Sequence, residues 1–225
     1  MTAGGPDLQL YGHPFSSYTW KAQIALHALG RDYDFRVLST DDPANCPNWK
    51  VVNAAGPQGQ FPVLVDDANV IFESTCVIEY LDLHHPGERR LIPADADAAL
   101  ATRMMDRVFD NHLMNVMQRA VSEHLFKPQP DAEVMADVRR RLHRTYAWLE
   151  DWLAHYQQPA DHLTLIECAA APSLFYADWV EQVTDAYPRL KAWRAQLNAM
   201  PEVSRCIEAA RPFRGFFPLG APDRD

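Results

Sequence analysis

Residues 60–81 read Gln60-Phe61-Pro62-Val63-Leu64-Val65-Asp66-Asp67-Ala68-Asn69-Val70-Ile71-Phe72-Glu73-Ser74-Thr75-Cys76-Val77-Ile78-Glu79-Tyr80-Leu81. Two apolar runs, residues 61–65 and 69–72, flank Asp66-Asp67-Ala68, the pattern of a β-hairpin. At Glu73-Ser74 the periodicity changes. Val77, Ile78 and Leu81 then fall at helical spacing until Pro86 ends the run. The segment predicts strand, strand, helix.

Upstream, residues 8–12 are a short extended run that ends in the turn signal Gly12-His13-Pro14. From Ser16 the pattern is helical: Trp20, Ile24 and Ala28 lie four apart, with Ala25 and Leu29 beside them, and Gly30 stands where a capping glycine belongs. Residues 33–38 alternate as a strand, which gives a β-α-β unit whose right-handed crossover makes the two strands parallel. Residues 40–60 are polar, contain three prolines and leave room for one short helix near Trp49. The predicted order is β-α-β-(α)-β-β-α, a four-stranded mixed sheet with helices on both faces.

Downstream, residues 87–97 read as a linker, and beyond them the strand signal disappears. Met104, Val108, His112, Val116 and Ala120 form one column, with Met105, Phe109, Leu113, Met117 and Val121 as its neighbour. Both predict one long helix with a broad apolar face. A second long helix follows Pro128-Gln129-Pro130, with Val134, Val138, Leu142, Leu149 and Leu153 inward. Thr164-Leu165-Ile166-Glu167 is a capping box, with Leu163 and Cys168 placed for a hydrophobic staple. Shorter helices near 189–199 and 201–210 follow. The tail, 213–225, is expected to pack through its phenylalanines and to leave 221–225 free. The domain reading is therefore α/β over 1–86, linker over 87–97 and all-α over 98–225.

Composition bounds the function. A length of 225 suits one large domain or two small ones, and 48% hydrophobic with 23% charged residues is an ordinary globular balance. No apolar run approaches the 18 residues of a membrane span, and the first ten residues lack a secretory pattern. The net charge of −9 argues against a nucleic-acid partner. Cys46, Cys76, Cys168 and Cys206 are scattered, with no metal-ligand spacing among cysteines and histidines and no glycine-rich phosphate loop. A cytoplasmic protein with neither metal nor nucleotide cofactor is expected.

Phe61-Pro62-Val63-Leu64, then Glu73-Ser74, then Ile78-Glu79-Tyr80-Leu81 resembles the glutathione-binding domain of cytosolic glutathione transferases. The resemblance implies a thioredoxin-like fold for the N-terminal half and a helical bundle for the rest. Ser16-Ser17-Tyr18-Thr19-Trp20-Lys21 resembles the catalytic region of the serine-type classes (zeta, tau, theta and many bacterial forms). Residues 164–179, with Pro172 inside, resemble the family's capped sixth helix.

The chemistry stands on its own physical ground. Glutathione reacts as a thiolate, yet a thiol of pKa about 8.5 is only a few per cent ionised at neutral pH. Lowering that value by about two units stabilises the anion by about 2.7 kcal/mol. A helix N-terminus supplies part of this, and a hydroxyl donor supplies more. Ser16 and Ser17 are both placed for the second task; Ser16 is preferred, and each also reads as a plain N-cap. Tyr11 and Tyr18 are the alternatives, because other classes of the family use a tyrosine after the first strand.

The resemblance also implies that Pro62 is cis, with Phe61 N–H and C=O free to pair with the cysteinyl backbone of glutathione. Ser74 would hold the γ-glutamyl carboxylate and Glu73 its ammonium; a capping serine is the plain alternative. Gln60, and more weakly Lys50, is placed for the glycyl end. Asp106 is weighed as a contact to the neighbouring subunit's glutathione against a solvated surface charge. Phe15, Phe109, His112, Met117 and Phe216 are candidate walls for an electrophile.

Some features depart from particular classes. Zeta-type isomerases carry a cysteine where Tyr18 stands, and their cationic substrate residue has no match near residues 176–179. No cysteine opens the first helix, which disfavours thiol transfer through a mixed disulfide. The reading is a glutathione transferase, with glutathione and a small apolar electrophile as substrates and a homodimer as assembly. The alternatives are a non-catalytic module of the same fold or a glutathione-dependent isomerase or peroxidase.

Overall fold

The computed structural model describes residues 8–39 and 43–225. Four strands, β1 (Leu8–Gly12), β2 (Asp34–Val37), β3 (Val63–Asp66) and β4 (Asn69–Phe72), form one sheet in the order β2-β1-β3-β4. β1 and β2 are parallel, and β1/β3 and β3/β4 are antiparallel, as the predicted mixed sheet requires. β3 begins two residues later than its apolar run, because Pro62 has no N–H to give the ladder. The helices of this half are α1 (Ser17–Ala28), α2 (Pro47–Ala55) and α3 (Ser74–His84). α1 ends as expected at Gly30: with φ +63° it donates to His27 C=O, while Arg31 donates to Leu26 C=O.

The connection to the helical half is anchored. Buried Asp82 accepts the Leu91 N–H at 2.7 Å, and Leu91 C=O accepts from Leu165 at 2.9 Å. Then follow α4 (Ala96–Val108), a π-turn (Phe109–Met114), α5 (Asn115–Phe126), α6 (Ala132–Trp152), α7 (Leu165–Val180), α8 (Pro188–Ala199), α9 (Pro201–Ala210) and a 3-10 turn (Arg211–Phe216).

The π-turn corrects the expectation of one continuous apolar face. A π-turn widens the helix by about one residue per turn, so columns counted at four residues lose phase across it. Met105, Phe109, Leu113, Met117 and Val121 stay buried, but Met104 and His112 face outward, and Met114 and Asp110 turn in.

Central to the fold is α7, buried from Leu165 to Trp179 and therefore apolar all round. The predicted capping box is present, with Thr164 N–H donating to Glu167 at 2.8 Å. α7 joins the halves, since Trp20 of α1 meets Phe175 and Tyr176 at centroid distances of 4.9 and 5.3 Å.

The C-terminal tail is not free. Arg224 Nε donates to buried Asp178 at 2.8 Å, Trp179 Nε1 donates to Arg224 C=O at 3.2 Å, and Asp225 pairs with Arg211 and Arg214 at 2.6 Å. Sequence reading missed this because Asp178 lies 46 positions away from its partner. Among the described residues no helix is long and apolar enough to cross a membrane.

Candidate active site

The sheet register assembles the site. Tyr11 pairs with Val63, and Val63 with Phe72. The turn after β1, the Phe61-Pro62 entry to β3 and the Glu73-Ser74 exit from β4 therefore share one end of the sheet. The sequence holds them in three separate stretches.

At the first of these, α1 approaches β1 so closely that a Cβ on Gly12 would lie 2.6 Å from Thr19 Oγ1; glycine is required here. Ser16 is the N-cap of α1, in extended conformation, and its Oγ accepts the Thr19 N–H at 3.2 Å. An accepting hydroxyl keeps its own proton to donate. Ser17, the first helical residue, is 8% exposed, and its hydroxyl has no hydrogen-bond partner among the described residues.

The two tyrosines are occupied. Tyr18 donates to Asn115 Oδ1 at 3.0 Å and Tyr11 to Gln9 Oε1 at 2.8 Å. Burial, reinforced by the charges of Asp110, Glu73 and Asp106, pushes the Tyr18 phenol well up and keeps it neutral.

The turn that carries the serines is held from several sides. Trp20 Nε1 donates to Pro14 C=O at 2.5 Å, and Tyr176 OH donates to Phe15 C=O at 2.9 Å. Phe15 N–H donates to His13 Nδ1 at 3.1 Å, while the His13 ring lies edge-on to Phe213 at 4.8 Å. Burial lowers the His13 pKa, which favours the neutral ring that this acceptor role needs. Sequence reasoning passed over His13, because a lone histidine in a turn has no spacing signal.

At the second place the Phe61-Pro62 peptide is cis. Phe61 N–H and C=O have no hydrogen-bond partner among the described residues. Gln60 beside them is exposed, as is Lys50 on α2. At the third place Glu73 has φ 66° and ψ 114°, a conformation that costs a non-glycine residue on the order of 1–3 kcal/mol and is concentrated at functional sites. It leaves Glu73 exposed, with buried Ser74 opening α3.

Comparison with known proteins meets this geometry. The family model for the glutathione S-transferase N-terminal domain matches residues 10–89, a span that holds all three places. Glutathione S-transferase 3 of Zea mays is 28% identical over 211 residues, covering 90% of this chain and 94% of the maize protein. A probable maleylacetoacetate isomerase of Vibrio cholerae is 23% identical, covering 92% and 98%. The crystal structure of a Methylobacillus flagellatus glutathione S-transferase with glutathione bound superposes with a TM-score of 0.77 at 23% identity, over 88% of this chain and 98% of that one.

Residues 10–89 form a glutathione S-transferase N-terminal domain.

Beyond that domain, Asp106 corrects both sequence readings. It is 0% exposed, so it is neither a solvated charge nor available to a neighbouring subunit. Its carboxylate lies 2.5 Å from Lys21 Nζ, accepts Thr75 Oγ1 at 2.9 Å and meets Arg107 at 2.9 Å. Lys21 also donates to Thr75 at 2.8 Å and to Asp110 at 2.7 Å. The cluster ties α1, α3 and the α4 π-turn together behind the serine turn. Burial, opposed by Lys21 and reinforced by Asp106, raises the Asp110 carboxyl pKa. The sequence hid this cluster, because Lys21 sits among apolar neighbours 85 positions before Asp106.

Phe109 and Met117 are core residues at 0% and 2% exposure and cannot line an open pocket. Phe15 is half-buried against Tyr176 and Trp179, and Phe216 and His112 are exposed.

Proposed function

We propose that the protein is a glutathione transferase in which Ser16 donates a hydrogen bond to the glutathione thiolate at the N-terminus of α1. One observation carries the serine assignment. Of the four candidate hydroxyls, the two tyrosines already donate hydrogen bonds to Asn115 and Gln9, and the two serines donate none among the described residues. The helix dipole and its first N–H groups add to the attraction of a sulfur anion. Ser17, less exposed, is the second candidate.

In this reading the Phe61 N–H donates to, and its C=O accepts from, the peptide backbone of glutathione in antiparallel fashion. The Ser74 hydroxyl and N–H meet its γ-glutamyl carboxylate, and Glu73 meets its ammonium. Gln60 is assigned to the glycyl end. The thiolate then attacks an apolar electrophile held against the helical half, and residues 1–86 and 98–225 act as glutathione-binding and electrophile-binding units. Catalysis comes from positioning and from stabilising the anion, with glutathione as co-substrate and no resident cofactor.

Homodimeric assembly belongs to the same proposal. Its support is the apolar surface left exposed by Val70 and Phe72 on edge strand β4 and by Leu100 and Met104 on α4. A cytoplasmic location is supported by Cys76, Cys168 and Cys206, which form no disulfide. The Vibrio relative's name fits the same thiolate with glutathione regenerated, and measuring whether glutathione is consumed separates conjugation from isomerisation.

The test is the ultraviolet absorbance of bound glutathione against pH. Ser16→Ala is expected to raise the thiolate pKa by about one unit, equivalent to about 1.4 kcal/mol, with the helix terminus supplying the rest and Ser17→Ala close to wild type. Equal pKa values in all three proteins would remove the serine assignment. A wild type that binds no glutathione would favour a non-catalytic module.

A further inference from the structure

A cavity of about 410 Å³ lies where α5 and α6 pack, lined by His112 and Val116 on one side and by Asp137, Arg140, Arg141 and Arg144 on the other. It includes none of the residues assigned to glutathione. The protein as a whole carries a net charge of −9, so a cavity ringed by arginines runs against its general field.

The local balance is cationic. Positions 137, 140, 141 and 144 recur at i, i+3, i+4 and i+7 and so share one face of α6. Arg119 of α5 joins them, which sets three guanidinium groups on one carboxylate, with Arg144 one turn further along the same face. Asp137 spends both oxygens on holding these three: Oδ2 accepts Arg119 at 2.7 Å and lies 2.9 Å from Arg141 Nε in an ion pair, while Oδ1 accepts Arg140. Because Arg141 is held through Nε, its two terminal nitrogens remain open. Arg144 has neither ion pair nor hydrogen bond among the described residues.

Like charges at such spacing repel, and free surface arginines spread into water. Here Asp137 keeps Arg119, Arg140 and Arg141 together, and the helix face sets Arg144 beside them with its donors unspent. Fixed guanidinium forks match the paired oxygens of phosphate and carboxylate groups, and prior ordering lowers the entropy cost of binding. We infer that this cavity is a second ligand site, taking a compact polyanion of phosphoryl or carboxylate chemistry through Arg140, Arg141 and Arg144.

The experiment is titration calorimetry of the full chain at low ionic strength, with inorganic pyrophosphate and with citrate as probes. Wild type is compared with Arg141→Ala/Arg144→Ala and with Arg36→Ala, a surface arginine on β2. Saturable binding of at least one probe is expected, weakened at least tenfold in the double variant and unchanged in Arg36→Ala. Preference for pyrophosphate identifies a phosphoryl ligand, and preference for citrate a carboxylate one. An unaltered circular dichroism spectrum and retained glutathione affinity establish that the double variant is folded. No saturable binding by wild type, undiminished binding by the double variant, or equal weakening in the Arg36→Ala control would overturn the inference.

Discussion

A lysine ammonium at 1% exposure persists only where its charge is matched, and Lys21 is matched by Asp106 and Asp110 together. Replacing it with methionine keeps the volume and strands two buried carboxylates. Lys21→Met is expected to cost about 3–5 kcal/mol in urea unfolding at pH 7. The sign of its pH dependence follows from Asp110, whose pKa is raised in the folded chain. Folded protein therefore holds that proton at a pH where unfolded chain has lost it, and ionisation costs stability as pH rises through the window. Without Lys21 the window widens, so the penalty should shrink on acidification into the carboxylate range, about pH 4–5. A penalty independent of pH would mean that packing, not charge, is what Lys21 provides. The serines, Pro62 and Glu73-Ser74 were legible as single residues because each combines a local backbone role with its side chain. Lys21, Asp106 and His13 were not, because burial gave them their meaning and spacing carried none of it.

Elements were legible where local rules set their ends. The capping box of α7 and the Gly30 cap of α1 fell where sequence placed them, and α8 and α9 cover the expected 189–199 and 201–210. The π-turn escaped, since Phe109–Met114 holds no glycine or proline to mark a break. The tail escaped for the opposite reason: its polar composition reads as solvated, yet Arg224 satisfies a carboxylate that α7 keeps at 3% exposure. Arg224→Ala should therefore cost about 1.5–3 kcal/mol, the range for a hydrogen bond to a charged group, and speed proteolysis of residues 220–225. A loss below about 0.5 kcal/mol, the ordinary value at a surface position, would show that the tail carries no anchoring energy.

For the whole molecule, the exposed apolar positions of β4 and α4 set the scale of assembly. Light scattering should give twice the chain mass of 25.6 kDa, and Leu100→Glu/Met104→Glu should return it to the single mass. A wild type that stays at 25.6 kDa when concentrated would end the homodimer proposal.

By itself the sequence determined the order of elements, the mixed sheet and the helix ends, because periodicity, capping and turn chemistry act over a few neighbouring residues. It also marked the three stretches that carry the proposed glutathione contacts. Their meeting at one end of the sheet was decided by strand register. The Lys21 cluster, the turned-in Asp110, the tail on Asp178 and the arginine cavity were decided by the tertiary structure alone. Charge and burial depend on distance in space, and residues 18 to 89 positions apart acquire that distance only when the chain is folded.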